Sequence, residues 1–407
     1  MALIFLDGGA APSILLEADV IREIRLGGAA PAGARRLDCT ACVVRPGEVN
    51  AHTHLYSALA PLGMPAPEVP PRNFVEILER VWWRLDRALD ASSLAASARL
   101  YVAESLLSGT TALVDHHESP AFLEGALDVL ADAAQAIGCR LVTCYGATDR
   151  NGGEDEGRRG LEECRRFVQG NARSLVRGLV GLHASFTVSD ATVSRAGAVA
   201  RELGVPMHVH VAEDVADVDD ARVRGAVGPL ERLLSLGALP RGSILAHGVH
   251  LSPDQVRAAE AAGLWLVQNP RSNAGNRVGF ASSLAASGHV ALGTDGYPAD
   301  MRAERAALGE LARAAQVTPR VRAEAGRELL SERFSARFAV EPGAAADLVV
   351  WRGADDAETP GSKPRHVVVG GEVVVEEGRL VRGDLDAIRA EARREAERLW
   401  ERMRRLS

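Results

Sequence analysis

Eight short apolar runs rich in β-branched residues punctuate the chain, and the segments between them repeat apolar residues at helical spacing. The runs cover 42–50, 111–115, 140–145, 176–182, 206–211, 243–246, 264–268 and 290–294. Strand and helix alternating in this way predict an α/β protein whose main body is a (β/α)8 TIM-type barrel. Each run ends in polar side chains: His52 and His54, then His116, His117 and Glu118, then Asp149, His183, His210 with Glu213, His247, Asn269 and finally Asp295. Packed strand interiors with chemistry gathered at the C-terminal ends are what such a barrel requires. A doubly wound sheet would instead show a Gly-rich phosphate turn after its first strand, and none follows 42–50.

The helical segments carry ordinary boundary signals. Ser119-Pro120 and Ser252-Pro253 read as N-caps with proline at the first helical position, and Gly138 and Gly263 as left-handed C-terminal caps. One connection is longer than the rest. It runs from 56 to 93 through Pro61, Pro65, Pro67, Pro70 and Pro71 into a helical stretch at 74–89, as a lid or substrate wall would. Trp82, Trp83 and Arg84 are its candidates to face a pocket, although each indole suits packing on the barrel or at a subunit contact equally well. Outside the barrel (46–340), residues 1–45 and 341–382 alternate as half-buried strands and are expected to meet in one β-sandwich. Residues 383–407 then form a solvated C-terminal helix.

Composition narrows the partners. A net charge of −7 over 407 residues gives no reason to expect nucleic acid, so a small-molecule substrate is the expected partner, with a homodimer the one assembly considered. No basic leader and no bilayer-length apolar run is visible, which points away from a membrane and toward the cytoplasm. The five cysteines show no disulfide-framework spacing, and Cys39-Thr40-Ala41-Cys42 reads as two buried thiols in a strand.

The chemistry starts from His52-Thr53-His54. Alternation along an extended chain sends both imidazoles to the same side, where they can share one ion. With His210 and Asp295 they supply four ligands, the number a catalytic zinc site can use while keeping a position for water. Glu213, three residues after His210, overhangs such an ion as a proton shuttle, and His247 addresses it from the opposite wall. Lowering the pKa of water from about 15.7 to about 7 corresponds to roughly 12 kcal/mol, beyond what one hydrogen bond provides. Hydroxide so formed can attack an electron-poor ring carbon, and the leaving amine must then be protonated. A second ion in such barrels is usually bridged by a modified lysine on the fourth strand. The one lysine in the chain is Lys363, so one divalent ion is expected, zinc being the choice and iron(II) meeting the same donors.

These residues, together with Leu245-Ala246-His247, Asn269-Pro270-Arg271-Ser272-Asn273 and Leu292-Gly293-Thr294-Asp295-Gly296, resemble the amidohydrolase superfamily across nearly the whole chain. Within it they resemble the deaminase and triazine-hydrolase branch. Asp115-His116-His117-Glu118-Ser119-Pro120 and Trp82-Trp83-Arg84-Leu85-Asp86 look most like SsnA-type aminohydrolases. The resemblance implies metal binding by His52, His54, His210 and Asp295, with Asp295 also taking a proton from water. It implies catalytic roles for Glu213 and His247, and a substrate contact for His183. Gln268 departs from the histidine that relatives often carry before Asn-Pro. Trp83, Asn269 and one of the adjacent His116 and His117, with His117 preferred, complete the expected substrate contacts. His208 reads as a core histidine, and His250, His289 and His366 as packing or surface residues. The expected activity is hydrolytic deamination of a purine, pterin or nucleoside-like ring. Hydrolysis of a formimino or guanidino group, dechlorination, and a non-catalytic assembly role are the alternatives.

Overall fold

The computed structural model describes residues 3–319 and 322–406. Its centre is a ring of parallel strands: Glu48–Thr53 (β1), Thr110–His117 (β2), Arg140–Ala147 (β3), Val180–Ala184 (β4), Met207–Val211 (β5), Ile244–His247 (β6), Trp265–Gln268 (β7) and Val290–Leu292 (β8). Neighbours pair in chain order, and Val176–Gly178 adds a short strand beside β3. The ring closes through Thr294 and Asp295, whose N–H groups both donate to the His52 carbonyl at 3.0 Å, while Thr53 and Asp295 form a parallel bridge. Helices cover the outside, so the strands are buried on both faces and read as continuous apolar runs.

The first run differs from expectation. Residues 42–50 do not form one strand: Val43–Pro46 pairs antiparallel with Leu348–Trp351 in another sheet, and β1 begins only at Glu48. Gly47 turns the chain between them where a Cβ would overlap Thr111 Oγ1, and Pro46 has no N–H to give to a barrel ladder. His52 therefore sits inside β1, and only His54 lies past its end. The fourth run also breaks, at Leu179, and its barrel portion extends to Ala184. The helix expected after Ser119-Pro120 starts instead at Ala126, whereas Ser252 caps Pro253–Ala261 with a full capping box through Gln255.

Both chain ends build the second unit. One sheet holds Leu3–Asp7, Pro12–Glu17, Val20–Leu26 and Arg35–Asp38, and the other holds Val43–Pro46 with Leu348–Trp351, His366–Val369, Glu372–Glu376 and Arg379–Leu380. Ile4, Leu6, Ile14, Leu16, Leu348, Val350 and Val368 fill the space between them. Cys39 and Cys42 flank the turn before Val43 rather than lying in a strand, and only Cys39 is buried. A buried ion pair ties this unit to the barrel: Arg140 Nε and Nη2 donate to Asp347 at 2.7 and 2.8 Å.

The helix Leu385–Arg405 is not fully solvated. It buries Ile388, Ala392, Leu399, Trp400 and Met403 and lies on the long connection after β1, where Trp400 Nε1 donates to Leu62 O at 3.1 Å. That connection contains a 3-10 helix (Leu55–Leu62), then Phe74–Ile77, a π-helical turn at Leu78–Trp82, and Trp83–Ala88. The wide turn brings consecutive indoles, Trp82 and Trp83, to the same cavity. Among the described residues no helix is long and apolar enough to cross a membrane.

Candidate active site

Four potential ligands from three strand ends converge at the barrel mouth: His52, His54, His210 and Asp295, each offering one donor atom within 4.8 Å of the others. The second nitrogen of each imidazole is held. His54 Nδ1 lies 2.6 Å from His116 O, His210 Nδ1 lies 2.6 Å from His183 O, and His52 Nδ1 lies 3.0 Å from His208 Nε2. These bonds leave all three Nε2 atoms facing inward, the arrangement that second-shell partners impose on metal-binding histidines. Asp295 Oδ1 is 2.9 Å from His54 Nε2 and 3.5 Å from His52 Nε2, and His210 Nε2 is 3.4 Å from His54 Nε2. Tetrahedral coordination with bonds of about 2.0–2.1 Å would separate donors by roughly 3.4 Å, so the set fits a single divalent ion. His52 Nε2 is buried without a hydrogen-bond partner, which such an ion would satisfy.

Electrostatics point the same way. Burial lowers His52 to about 3 and takes His210 well below its usual value, so both are neutral donors at neutral pH. Burial also works against a charged His54, but the hydrogen bond and charge of Asp295 push it up to about 9, putting positive charge where a cation would sit. Asp295 stays ionised against its own burial because the imidazoles of His52 and His54 flank its carboxylate. Ser272 Oγ fixes its other oxygen. Ala212, His247 and Asp295 all adopt positive φ (50°, 76° and 53°), a rare conformation for residues with a side chain that here aims three strand ends at one point.

Glu213 follows β5, and His247 ends β6. Glu213 Oε2 is 3.4 Å from His247 Nε2, and Asn276 Nδ2 donates to Oε1 at 3.3 Å. Burial and the nearby Asp295 charge raise the Glu213 carboxyl well above its usual range. His247 Nδ1 lies 2.8 Å from Asn273 Oδ1, leaving Nε2 turned toward Glu213 with no hydrogen-bond partner among the described residues.

The cavity above is lined by His54, His183, His210, Glu213 and Asp295, with Trp82, Trp83, Phe186 and Tyr297 as aromatic walls and Glu118 on the β2 side. Of the expected substrate contacts, His183 and Trp83 line it. His117 does not: its Nε2 meets Ser119 Oγ at 2.7 Å, and the ring packs against Tyr56 and Tyr145. The neighbouring His116 is the one directed among the site histidines, with its ring 4.5 Å from that of His210. Asn269 also lies behind the cavity, where its amide is 3.3 Å from His247 Nδ1. Residues outside the expected set include His208, Ser272, Asn273 and Asn276, which orient ligands or acids. Ser272, Asn273 and Asn276 share one short helical segment after β7, so only their spacing signalled a common face.

A model of the amidohydrolase family matches residues 43–330. The chain belongs to the amidohydrolase family. A 5-methylthioadenosine/S-adenosylhomocysteine deaminase of Natronomonas pharaonis is 31% identical over 94% of both chains. A zinc-bound adenosine deaminase from Xanthomonas campestris shares the fold, with a TM-score of 0.80 at 23% identity over 98% of both chains. Atrazine chlorohydrolase TrzN of Arthrobacter aurescens does so with a TM-score of 0.78 at 21% identity, over 97% of this chain and all of that one. The protein is accordingly a metal-dependent hydrolase of carbon–nitrogen bonds other than peptide bonds.

Proposed function

We propose that the protein is a mononuclear hydrolytic deaminase of an amino-substituted purine, pterin or nucleoside-like ring, releasing ammonia. The observation that carries this reading is a buried carboxyl, Glu213, standing beside four convergent donors. In it His52, His54, His210 and Asp295 hold one divalent ion, taken as zinc, with iron(II) the outcome metal analysis would distinguish. Bound there, the ion supplies Lewis acidity that brings water's pKa from about 15.7 to about 7. Asp295, fixed by Ser272, accepts the proton of the attacking water. Glu213 delivers its proton to the leaving nitrogen, and His247, held by Asn273, stabilises the oxygen from the other wall. Trp83 and His183 flank the ring.

A retained proton on Glu213 favours an amine leaving group over chloride, which departs without one. Formimino or guanidino hydrolysis needs the same proton and is the second reading. The partner is the small-molecule substrate, with neither nucleic acid nor membrane, in the cytoplasm, and a homodimer is the assembly to check by light scattering. The composite sandwich supports the barrel from outside the reaction. Ammonia release from purines, nucleosides, pterins and formimino compounds tests the proposal. Glu213→Gln should retain the metal and lose about 10²- to 10⁴-fold in kcat. Full activity in that variant, or a product other than ammonia, would remove the deaminase reading.

A further inference from the structure

Glu118 is a buried carboxylate that the reaction above does not use. It stands at the end of β2, three strands around the ring from Glu213, lines the cavity, and is only 3% exposed. Gly146 of β3 leaves room for His116 and Glu118 together: a Cβ there would overlap His116 Cε1 and lie 2.6 Å from Glu118 Oε1. Its partners are sparse. Tyr56 OH donates to Oε2 across a long 3.4 Å, His116 Nδ1 lies 3.1 Å from Oε1, and Oε1 receives no well-formed hydrogen bond. An ionised carboxylate can accept about four hydrogen bonds, and burying one with so few is costly unless a ligand completes the set.

No arginine or lysine among the described residues lines this cavity. The arginines nearest to it in the chain are committed elsewhere. Arg150 is buried, pairs with Asp86 at 2.9 Å and stacks on Trp83 from behind at 4.7 Å. Arg271 is bound to Glu304, its backbone N–H donating at 2.8 Å, and Arg84 donates to Met403 O at 3.0 Å. Away from the ligand set, a phosphate or carboxylate on a substrate would meet no arginine or lysine and would face Glu118.

We propose that Glu118 is the specificity anchor of the pocket, accepting the N–H edge of the heterocycle, a ring N–H or second amino group distinct from the one that leaves. The substrates are then neutral or cationic nitrogen rings with such an edge, in a pocket that Trp82, Trp83 and His183 line, and anionic derivatives are rejected. This deepens the deaminase reading and rests on it for which nitrogen leaves.

The test pairs 2,6-diaminopurine with adenine, which differ by one amino group, and adenosine with its 5′-monophosphate. Binding to zinc-loaded wild type and Glu118→Gln is followed by calorimetry, and ammonia release in parallel. Zinc content and melting temperature confirm that the near-isosteric variant is folded. Wild type should bind 2,6-diaminopurine about 10- to 100-fold tighter than adenine, as expected for a hydrogen bond to a charged group. It should bind the monophosphate at least about 10-fold more weakly than adenosine, since a like charge is buried against Glu118. Both gaps should collapse in Glu118→Gln. Equal binding within either pair by wild type, gaps that persist in the variant, or binding of none of the four overturns the assignment. Glu118-dependent binding without ammonia release would keep it and sink the deaminase reading. Ammonia release indifferent to the substitution would do the reverse.

Discussion

His208→Leu removes a side chain that touches no cavity, yet it should weaken the metal site. For His52 to present a lone pair from Nε2, its Nδ1 must carry the proton, and the acceptor for that proton is His208 Nε2 at 3.0 Å. Leucine leaves that N–H buried without a partner, a loss of about 1–3 kcal/mol, and frees the ring to rotate. Loss of a second-shell partner typically weakens metal affinity 10- to 100-fold, about 1.4–2.7 kcal/mol, so two independent routes reach the same magnitude. The assay is competition for zinc with a chromophoric chelator of known affinity. His117→Leu serves as control, because His117 is an equally buried histidine whose bond goes to Ser119 rather than to a ligand. Zinc affinity within twofold of wild type in His208→Leu, or an equal loss in His117→Leu, would refute the argument that histidine tautomers are set from behind.

Asp347→Ala should cost about 3–5 kcal/mol in urea unfolding, because it leaves Arg140 buried and unpaired; a loss under about 1 kcal/mol would mean water replaces the carboxylate. Burial lifts the Asp217 carboxyl to about 7 despite two backbone N–H bonds. With the folded pKa above the unfolded value of about 3.9, its contribution is largest below about pH 4 and is lost as pH rises through 7, of order 4 kcal/mol, so urea midpoints should fall over that window less steeply in Asp217→Asn. Gly293→Ala should reduce zinc content, since its Cβ would sit 2.5 Å from Asn269 Oδ1 and 2.8 Å from His52 O; Gly309→Ala, on an open helical face, should leave zinc unchanged and stabilise by about 0.5–1 kcal/mol.

The convergence of four donors was legible because its signals are local. His52 and His54 are forced to one side by strand alternation, and His210, His247 and Asp295 each lie at or near the end of an apolar run visible in the residues themselves. What stayed hidden depends on surroundings no single segment records. All of β2 is buried on both faces, so hydrophobicity gives no phase, and the inward turn of His116 rather than His117 follows from the pairing of β2 with β3. The split at Gly47 was invisible because Val43, Val44 and Val49 suit either sheet, and only contact with Thr111 shows why a glycine must stand between them. The terminal helix read as solvated because its few large apolar residues, Ile388, Leu399, Trp400 and Met403, are spread among many charged ones.

Glu118 shows the same limit at the site itself. A glutamate at a strand end has the same sequence signature whether it is solvated, structural or aimed at substrate. It becomes interpretable only when Gly146 is seen clearing space for it and the neighbouring arginines are seen spent elsewhere. Metal ligands are constrained by number and geometry that a sequence can carry, whereas specificity is a balance of charge around a cavity. The residues that decide it here, including the missing cation, come from segments dispersed along the chain, so the reaction class could be read before folding and the preferred substrate edge only after it.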